Sequence, residues 1–423
     1  MRITKSFSLI LQQIFTTQKH FIMISDLNKI YSLTAKGMQR SAIREILKLT
    51  QQPDIISFAG GLPAPESFPV KDINVVSCEV LEQNGVAALQ YGTTEGFVPL
   101  REELLKRYRT EGLDVSLENL IITTSSQQGL DLLGKIFVNR GDKVICGLPS
   151  YLGGLSAFRT YGAEMIGIEF DEHGMRSDML EKQLETMKKQ GEKPKFIYII
   201  PDFQNPAGIT MPEFRRREII DLAHKYDVLI VEDSPYRELR FDGEAQPMMY
   251  QMDGTGHVIT LGTFSKILAP GFRIGWVLAA PEIADKFVVA KQATDLCTPP
   301  FLQMIAAKYM EKGYLEKNLK ATIDLYRIKR DTMLEGFKKY MPEGVTWTEP
   351  EGGLFLFMYL PKHIDTKKIF QQAIDQKVAY VIGSVFHCDG SGKNTMRLNF
   401  SFPSLEQNKE GVKRLADVIK KNM

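Results

Sequence analysis

From about Asn119 onward the chain repeats one pattern. A short, nearly continuous apolar run is followed by a longer segment with apolar residues at helical spacing. The runs are 120–124, 143–147, 165–170, 196–200, 228–231, 258–261 and 274–279. A strand with one face in water alternates apolar and polar residues, so unbroken runs predict strands covered on both faces. Helical segments such as 212–226 lie between several of them, and a polar turn after the first run leads into a helix opening near Gln127. The pattern predicts an α/β, doubly wound, mostly parallel sheet of about seven strands flanked by helices.

After Ala280 the character changes. Residues 283–338 read as largely helical, with 314–337 as one long connecting helix. Strands at 354–359 and 396–400 then mix with helices at 367–376 and 405–421, which predicts a smaller α/β domain. The expected organisation is an extension at 1–25, an arm with part of the small domain at 26–85, a large domain at 86–320 and a C-terminal small domain at 321–423. The extension carries Arg2, Lys5 and Lys19 but no acid, and its apolar stretch is broken by Gln12 and Gln13. That stretch is too short and polar to span a membrane. No small-residue cleavage site follows it, so a weak targeting segment and a start at Met23 both stay open. A cytoplasmic protein is the expectation.

Composition narrows the function classes. The chain has 423 residues, 43% hydrophobic and 25% charged, with a net charge of +2. That balance calls for neither nucleic acid nor an anionic membrane. Cys78, Cys146, Cys297 and Cys388 are far apart with no CxxC pair, and the six histidines form no HExxH. Neither a disulfide framework nor a metal is expected. Gly254-Thr255-Gly256 lacks a third glycine and precedes a strand, so a dinucleotide-dependent oxidoreductase is a distant alternative.

Ligands of open α/β sheets bind beyond the carboxyl ends of the strands, and polar residues gather there. Thr123 to Gly129, at a strand-to-helix turn, offers hydroxyls, amides and backbone N–H groups suited to an anion, or a simple helix cap. Asp233 follows an apolar run, and a buried carboxylate needs a partner such as a protonated pyridine nitrogen. Lys266 lies in a turn between two apolar runs, seven residues before Arg273. A lysine amine of lowered pKa forms Schiff bases with aldehydes. Thr263, Ser265 and Arg273 supply donors for a phosphate dianion.

With these residues the sequence resembles the class I/II pyridoxal-phosphate (PLP) aminotransferases of fold type I, nearest the 2-aminoadipate, kynurenine and aromatic branch. The resemblance runs from about Ser41 to Pro403, with motifs in the family's order: Ser57 to Glu66, Gln90 to Gly96, Asn205-Pro206-Ala207-Gly208, the Lys266 turn, and Met396 to Phe400. It implies that Lys266 binds the cofactor covalently and moves the proton, and that Asp233 pairs with the pyridine nitrogen. Asn205 and Tyr236 bond the ring's phenolic oxygen, and Tyr151 stacks on its face. Ser126, Gln127, Ser265 and Arg273 hold the phosphate, with Tyr91 reaching in from the partner of a homodimer. Arg397 takes the substrate α-carboxylate, Gly61 lets the substrate approach, and Arg44 meets side-chain carboxylates. Ser125 stands where the family often has glycine, and Ile382 where it tends to have proline. The implied activity is ping-pong transfer of an amino group from glutamate, 2-aminoadipate, or an aromatic or branched-chain amino acid to a 2-oxo acid. A PLP β-lyase acting on cysteine conjugates is the alternative.

Overall fold

The computed structural model describes residues 26–38 and 54–423. Residues 26–38 form a unit of their own: a turn at Leu27–Lys29, then a short helix, Leu33–Gly37, whose first turn is capped by the Ser32 hydroxyl accepting from Ala35 N–H at 3.0 Å.

In the second unit, β1 (Ile56–Ser57) opens the chain, and the seven apolar runs become strands of one large sheet. These are β2 (Leu120–Thr123), β3 (Lys143–Leu148), β4 (Glu164–Asp171), β6 (Phe196–Ile199), β7 (Leu229–Asp233), β8 (Val258–Thr263) and β9 (Gly275–Leu278). An eighth member, β5 (Gly174–Met175), hairpins onto the edge of β4; two residues are too few to mark an apolar run. The order is β2-β9-β8-β7-β6-β3-β4-β5. Parallel pairs join β8, β7, β6, β3 and β4, whereas β9 runs antiparallel to both β8 and β2. Every residue of β2, β6, β8 and β9 is buried, as helices on both faces require.

This order places the chemistry. The strands β2, β3, β6, β7 and β8 all end on one edge, and β9, reversed by the short connection from β8, begins there. Segments around 124, 150, 205, 234, 266 and 273 therefore converge from six places in the chain. Two expected strands run longer than their apolar runs, because ladder bonds carry β7 through Asp233 and β8 through Thr263.

The helix Tyr314–Tyr340 spans 27 residues, about 40 Å at 1.5 Å per residue. It packs against the helix Leu405–Lys420. A second sheet of β10 (Thr346–Trp347), β11 (Phe355–Tyr359), β13 (Val381–Ile382) and β14 (Thr395–Asn399) is antiparallel, in the order β10-β11-β14-β13. β1 pairs in parallel with β12 (Val378–Ala379). Among the described residues no helix is long and apolar enough to cross a membrane.

Candidate active site

The first turn of the helix Ser125–Phe137 faces the start of β9. The approach is close: a Cβ on Gly275 would lie 2.4 Å from the Ser126 nitrogen. Ser125 has φ +67° and Arg273 φ +53°, both in the left-handed region. An L-residue there costs about 1–2 kcal/mol. Ser125 uses its side chain in return, its hydroxyl accepting from the Arg273 guanidinium. The Thr263 hydroxyl donates to Ser265 Oγ at 3.0 Å and accepts from Ser265 N–H at 3.2 Å. Arg273 has no carboxylate within ion-pair distance among the described residues. Helix-end N–H groups, two hydroxyls and an unpaired guanidinium together suit a dianion.

At the end of β7, Asp233 is buried. Its Oδ2 accepts from Tyr198 O–H at 2.7 Å, while Oδ1 has no hydrogen-bond partner among the described residues. Burial pushes its carboxyl up to about 7, against a smaller downward pull from the Tyr198 hydroxyl. An orphaned carboxylate oxygen in apolar surroundings calls for a cationic N–H donor.

Lys266 is partly buried and donates to the Gly61 carbonyl at 2.7 Å. Burial, then the positive charges of Arg397 and Arg273, lower its ammonium to about 8. At pH 7.5 roughly a quarter of such an amine is neutral, against about 0.1% of an ordinary lysine.

Arg397, on β14, is fully buried between the rings of Phe355 and Phe386, at 4.3 and 5.2 Å from their centroids. It donates to Asn205 Oδ1 and to the Ala59 carbonyl, each at 2.9 Å, and its Nε has no hydrogen-bond partner among the described residues. Burial lowers it to about 10. Asn205 donates in turn to Tyr236 O–H at 3.3 Å. Tyr151, half-buried before the helix Leu152–Thr160, donates to Gln127 Oε1 at 3.3 Å.

Thus Ser126, Gln127, Tyr151, Asn205, Asp233, Tyr236, Ser265, Lys266, Arg273, Arg397 and Gly61 all lie on, or bond to, the converging segments. A Cβ at Gly61 would meet Phe355 only at 3.6 Å, so the glycine is not sterically enforced there. Tyr91 stands apart: it is 79% exposed, and no described bond or ring contact joins it to these residues. Arg44 lies outside the described residues.

Tyr198, Phe355 and Phe386 escaped the sequence reading of the site, which named Thr124 only within the turn Thr123 to Gly129. Tyr198 had a faint signal, a lone hydroxyl in the run Phe196 to Ile200 at the same parity as Phe196. Thr124 anchors the cradle by donating to Asp295 at 2.8 Å, and Asp295 is paired with Lys291 at 2.6 Å.

The profile of the family described as aminotransferase class I and II matches residues 63–415. The aromatic-amino-acid aminotransferase 1 of Thermococcus litoralis is 49% identical over 399 residues, 94% of this chain and 96% of that protein. The 2-aminoadipate transaminase of Thermus thermophilus is 40% identical, covering 91% of this chain and 95% of its own. The crystal structure of Pyrococcus horikoshii kynurenine aminotransferase in complex with PMP superposes with a TM-score of 0.91 at 48% identity, covering 95% of this chain and 99% of that one. The chain belongs to the class I and II aminotransferases. It is an enzyme of fold type I that moves an amino group from an amino acid to a 2-oxo acid.

Proposed function

We propose that this aminotransferase holds PLP between the Ser125–Phe137 helix and Lys266. The observation that carries the reading is a set of three buried or partly buried groups lacking counter-charges: Lys266, the Asp233 oxygen, and Arg397. PLP, when bound, supplies an aldehyde that condenses with amines and a ring that draws electrons from the substrate Cα. Its pyridine nitrogen suits Asp233 Oδ1, its phosphate suits Ser126, Gln127, Ser265 and Arg273, and its phenolic oxygen suits Asn205 and Tyr236.

This chain's own residues do the rest. Arg397 has an unused Nε and two further nitrogens, a fork that fits a carboxylate bidentately. It fixes the amino acid by its α-carboxylate and so retains CO2 while the Cα proton is taken. Lys266, with its lowered pKa, would accept that proton and deliver it to the aldehyde-derived carbon of the cofactor, across the nitrogen from Cα. Phe355 and Phe386 exclude water from the Arg397 guanidinium, which strengthens its hold. Tyr151 would lie against the ring of the cofactor.

The substrates we propose are glutamate, 2-aminoadipate and aromatic or branched-chain amino acids, with a 2-oxo acid as acceptor and Arg44 meeting a second carboxylate. Tyr91 reaches the site of a second copy. The reading is supported by apolar residues left in water beside it, Val86 at 90% and Leu89 at 76% exposed. Reduction of PLP-loaded protein with borohydride, followed by peptide mass spectrometry, should find the pyridoxyl group on Lys266. Its recovery on another lysine, or on none, refutes the assignment.

A further inference from the structure

At the edge of the sheet opposite the Lys266 turn, two of the chain's six histidines meet. His224 lies in the last turn of the helix Glu213–Tyr226, Asp253 closes the short helix Met249–Asp253, and His257 immediately precedes β8. One ligand atom from each lies within 4.8 Å of the other two.

The Thr255 hydroxyl forms a hub, 2.6 Å from Asp253 Oδ1, 2.8 Å from His257 Nδ1 and 3.0 Å from His224 Nε2. His224 Nε2 is itself 2.6 Å from Asp253 Oδ1. The support around these atoms is that of a metal site. Asp253 is buried, and its Oδ2 accepts from the backbone N–H groups of His257 at 2.8 Å and Val258 at 3.3 Å, which turns Oδ1 toward the histidines. His257 Nε2 lies 3.4 Å from Asp227 Oδ1. A carboxylate behind an imidazole fixes the tautomer whose other nitrogen offers its lone pair to an ion.

We propose that His224, Asp253 and His257 bind a divalent transition-metal ion of the zinc type. Two imidazoles and one carboxylate select zinc, cobalt or nickel over the harder magnesium and calcium. Bonds of about 2.0–2.2 Å place tetrahedral ligand atoms roughly 3.4 Å apart, so the ion takes the place of the Thr255 hydroxyl among them, and His224 Nε2 and Asp253 Oδ1, now 2.6 Å apart, open to admit it. The fourth position opens to a cleft of about 470 Å³ beside Thr255 and His257, where water completes the sphere. Two ammonium groups line that cleft, but both are already paired, Lys193 with Asp227 at 2.6 Å and Lys195 with Asp142 at 3.3 Å. β8 separates the cluster from the Lys266 turn by six residues, roughly 20 Å at 3.3 Å each, so the ion ties helix to strand and takes no part in amino transfer.

Tag-free holoenzyme stripped with a chelator and titrated with zinc(II) in a calorimeter should bind one equivalent per chain in the micromolar range. The thermal midpoint should rise with it. Affinity should fall about tenfold or more in His224→Gln and in His257→Gln. Cobalt(II) should give the visible absorbance of a low-symmetry site in the wild type only. No saturable zinc binding, or the same isotherm in the wild type and the double variant, overturns the proposal. Carbethoxylation of the wild-type protein needs no variant: zinc must protect His224 and His257, and equal modification with and without zinc also overturns it.

Discussion

Replacing Asp233 by Asn should stabilise the cofactor-free protein while weakening the cofactor-bound one. In the folded chain burial raises the Asp233 carboxyl from 3.8 to about 7. A raised folded value means that the native state keeps its proton where the unfolded chain has lost it. The stability this group contributes is therefore full below about pH 3.8 and is lost as pH climbs to 7. At about 1.4 kcal/mol per pH unit, the loss reaches roughly 4 kcal/mol above pH 7. The amide of the variant carries no charge, keeps an oxygen for the Tyr198 hydroxyl, and avoids that cost. Urea unfolding of cofactor-free wild type and Asp233→Asn should give equal stabilities near pH 4. The variant should be ahead by up to about 4 kcal/mol at pH 8, with the gap opening between 4 and 7. With PLP present the order should reverse, because the wild-type carboxylate then has a cationic partner. A gap that does not change from pH 4 to 8 would show that Asp233 ionises freely, and the electrostatic account of the site would fall.

Tyr198→Phe removes the one side-chain hydrogen-bond donor to Asp233 among the described residues, so its carboxyl should rise further. PLP affinity, read from absorbance titrations, should fall about five- to tenfold, the worth of one hydrogen bond. Arg397→Lys trades a fork for a point charge and should lower kcat/KM about 30- to 200-fold for every amino acid alike, a loss of about 2–3 kcal/mol. Gly275→Ala drives a methyl against the Ser126 nitrogen, a backbone atom that cannot swing aside. It should cost about 1–3 kcal/mol of stability, visible as a lowered thermal midpoint, and weaken PLP binding more than Tyr198→Phe does.

The fold was legible because burial on both faces writes itself as unbroken apolar runs, and each of the seven runs is a strand. Where a strand carries polar residues, as at Glu232-Asp233 and Gly262-Thr263, its end was misjudged: ladder bonds are made by the backbone and ignore the side chain. Lys266 and Asp233 were legible from their places after apolar runs, and Asn205 only through the family resemblance, because Asn205-Pro206 alone reads as a turn. Tyr198, Phe355 and Phe386 were not, because their part depends on which strand lies beside which, and that order, β6 next to β7 and β11 next to β14, is set by packing distant in sequence. The histidine cluster was hidden for the same reason: His224 and His257 are 33 positions apart and share no motif.

The charges of the site argue for the substrates. Lys266, Arg273 and Arg397 are three cations facing one acid, Asp233, and among the described residues none of the three has a carboxylate within ion-pair distance. On the proposed reading a phosphate dianion answers Arg273, and one α-carboxylate answers Arg397. No described cation bonded to these residues then remains for a second carboxylate. On the proposed reading, recognition of glutamate or 2-aminoadipate by charge falls to Arg44, which lies outside the described residues. Arg44→Ala should therefore raise KM for both about tenfold or more, the worth of a charge-assisted hydrogen bond, and leave leucine and the aromatic amino acids within about twofold. Single-turnover absorbance changes across the amino-acid series read both arms at once. An equal loss for leucine would place Arg44 in the fold rather than in the pocket, and the side-chain carboxylate would need another partner.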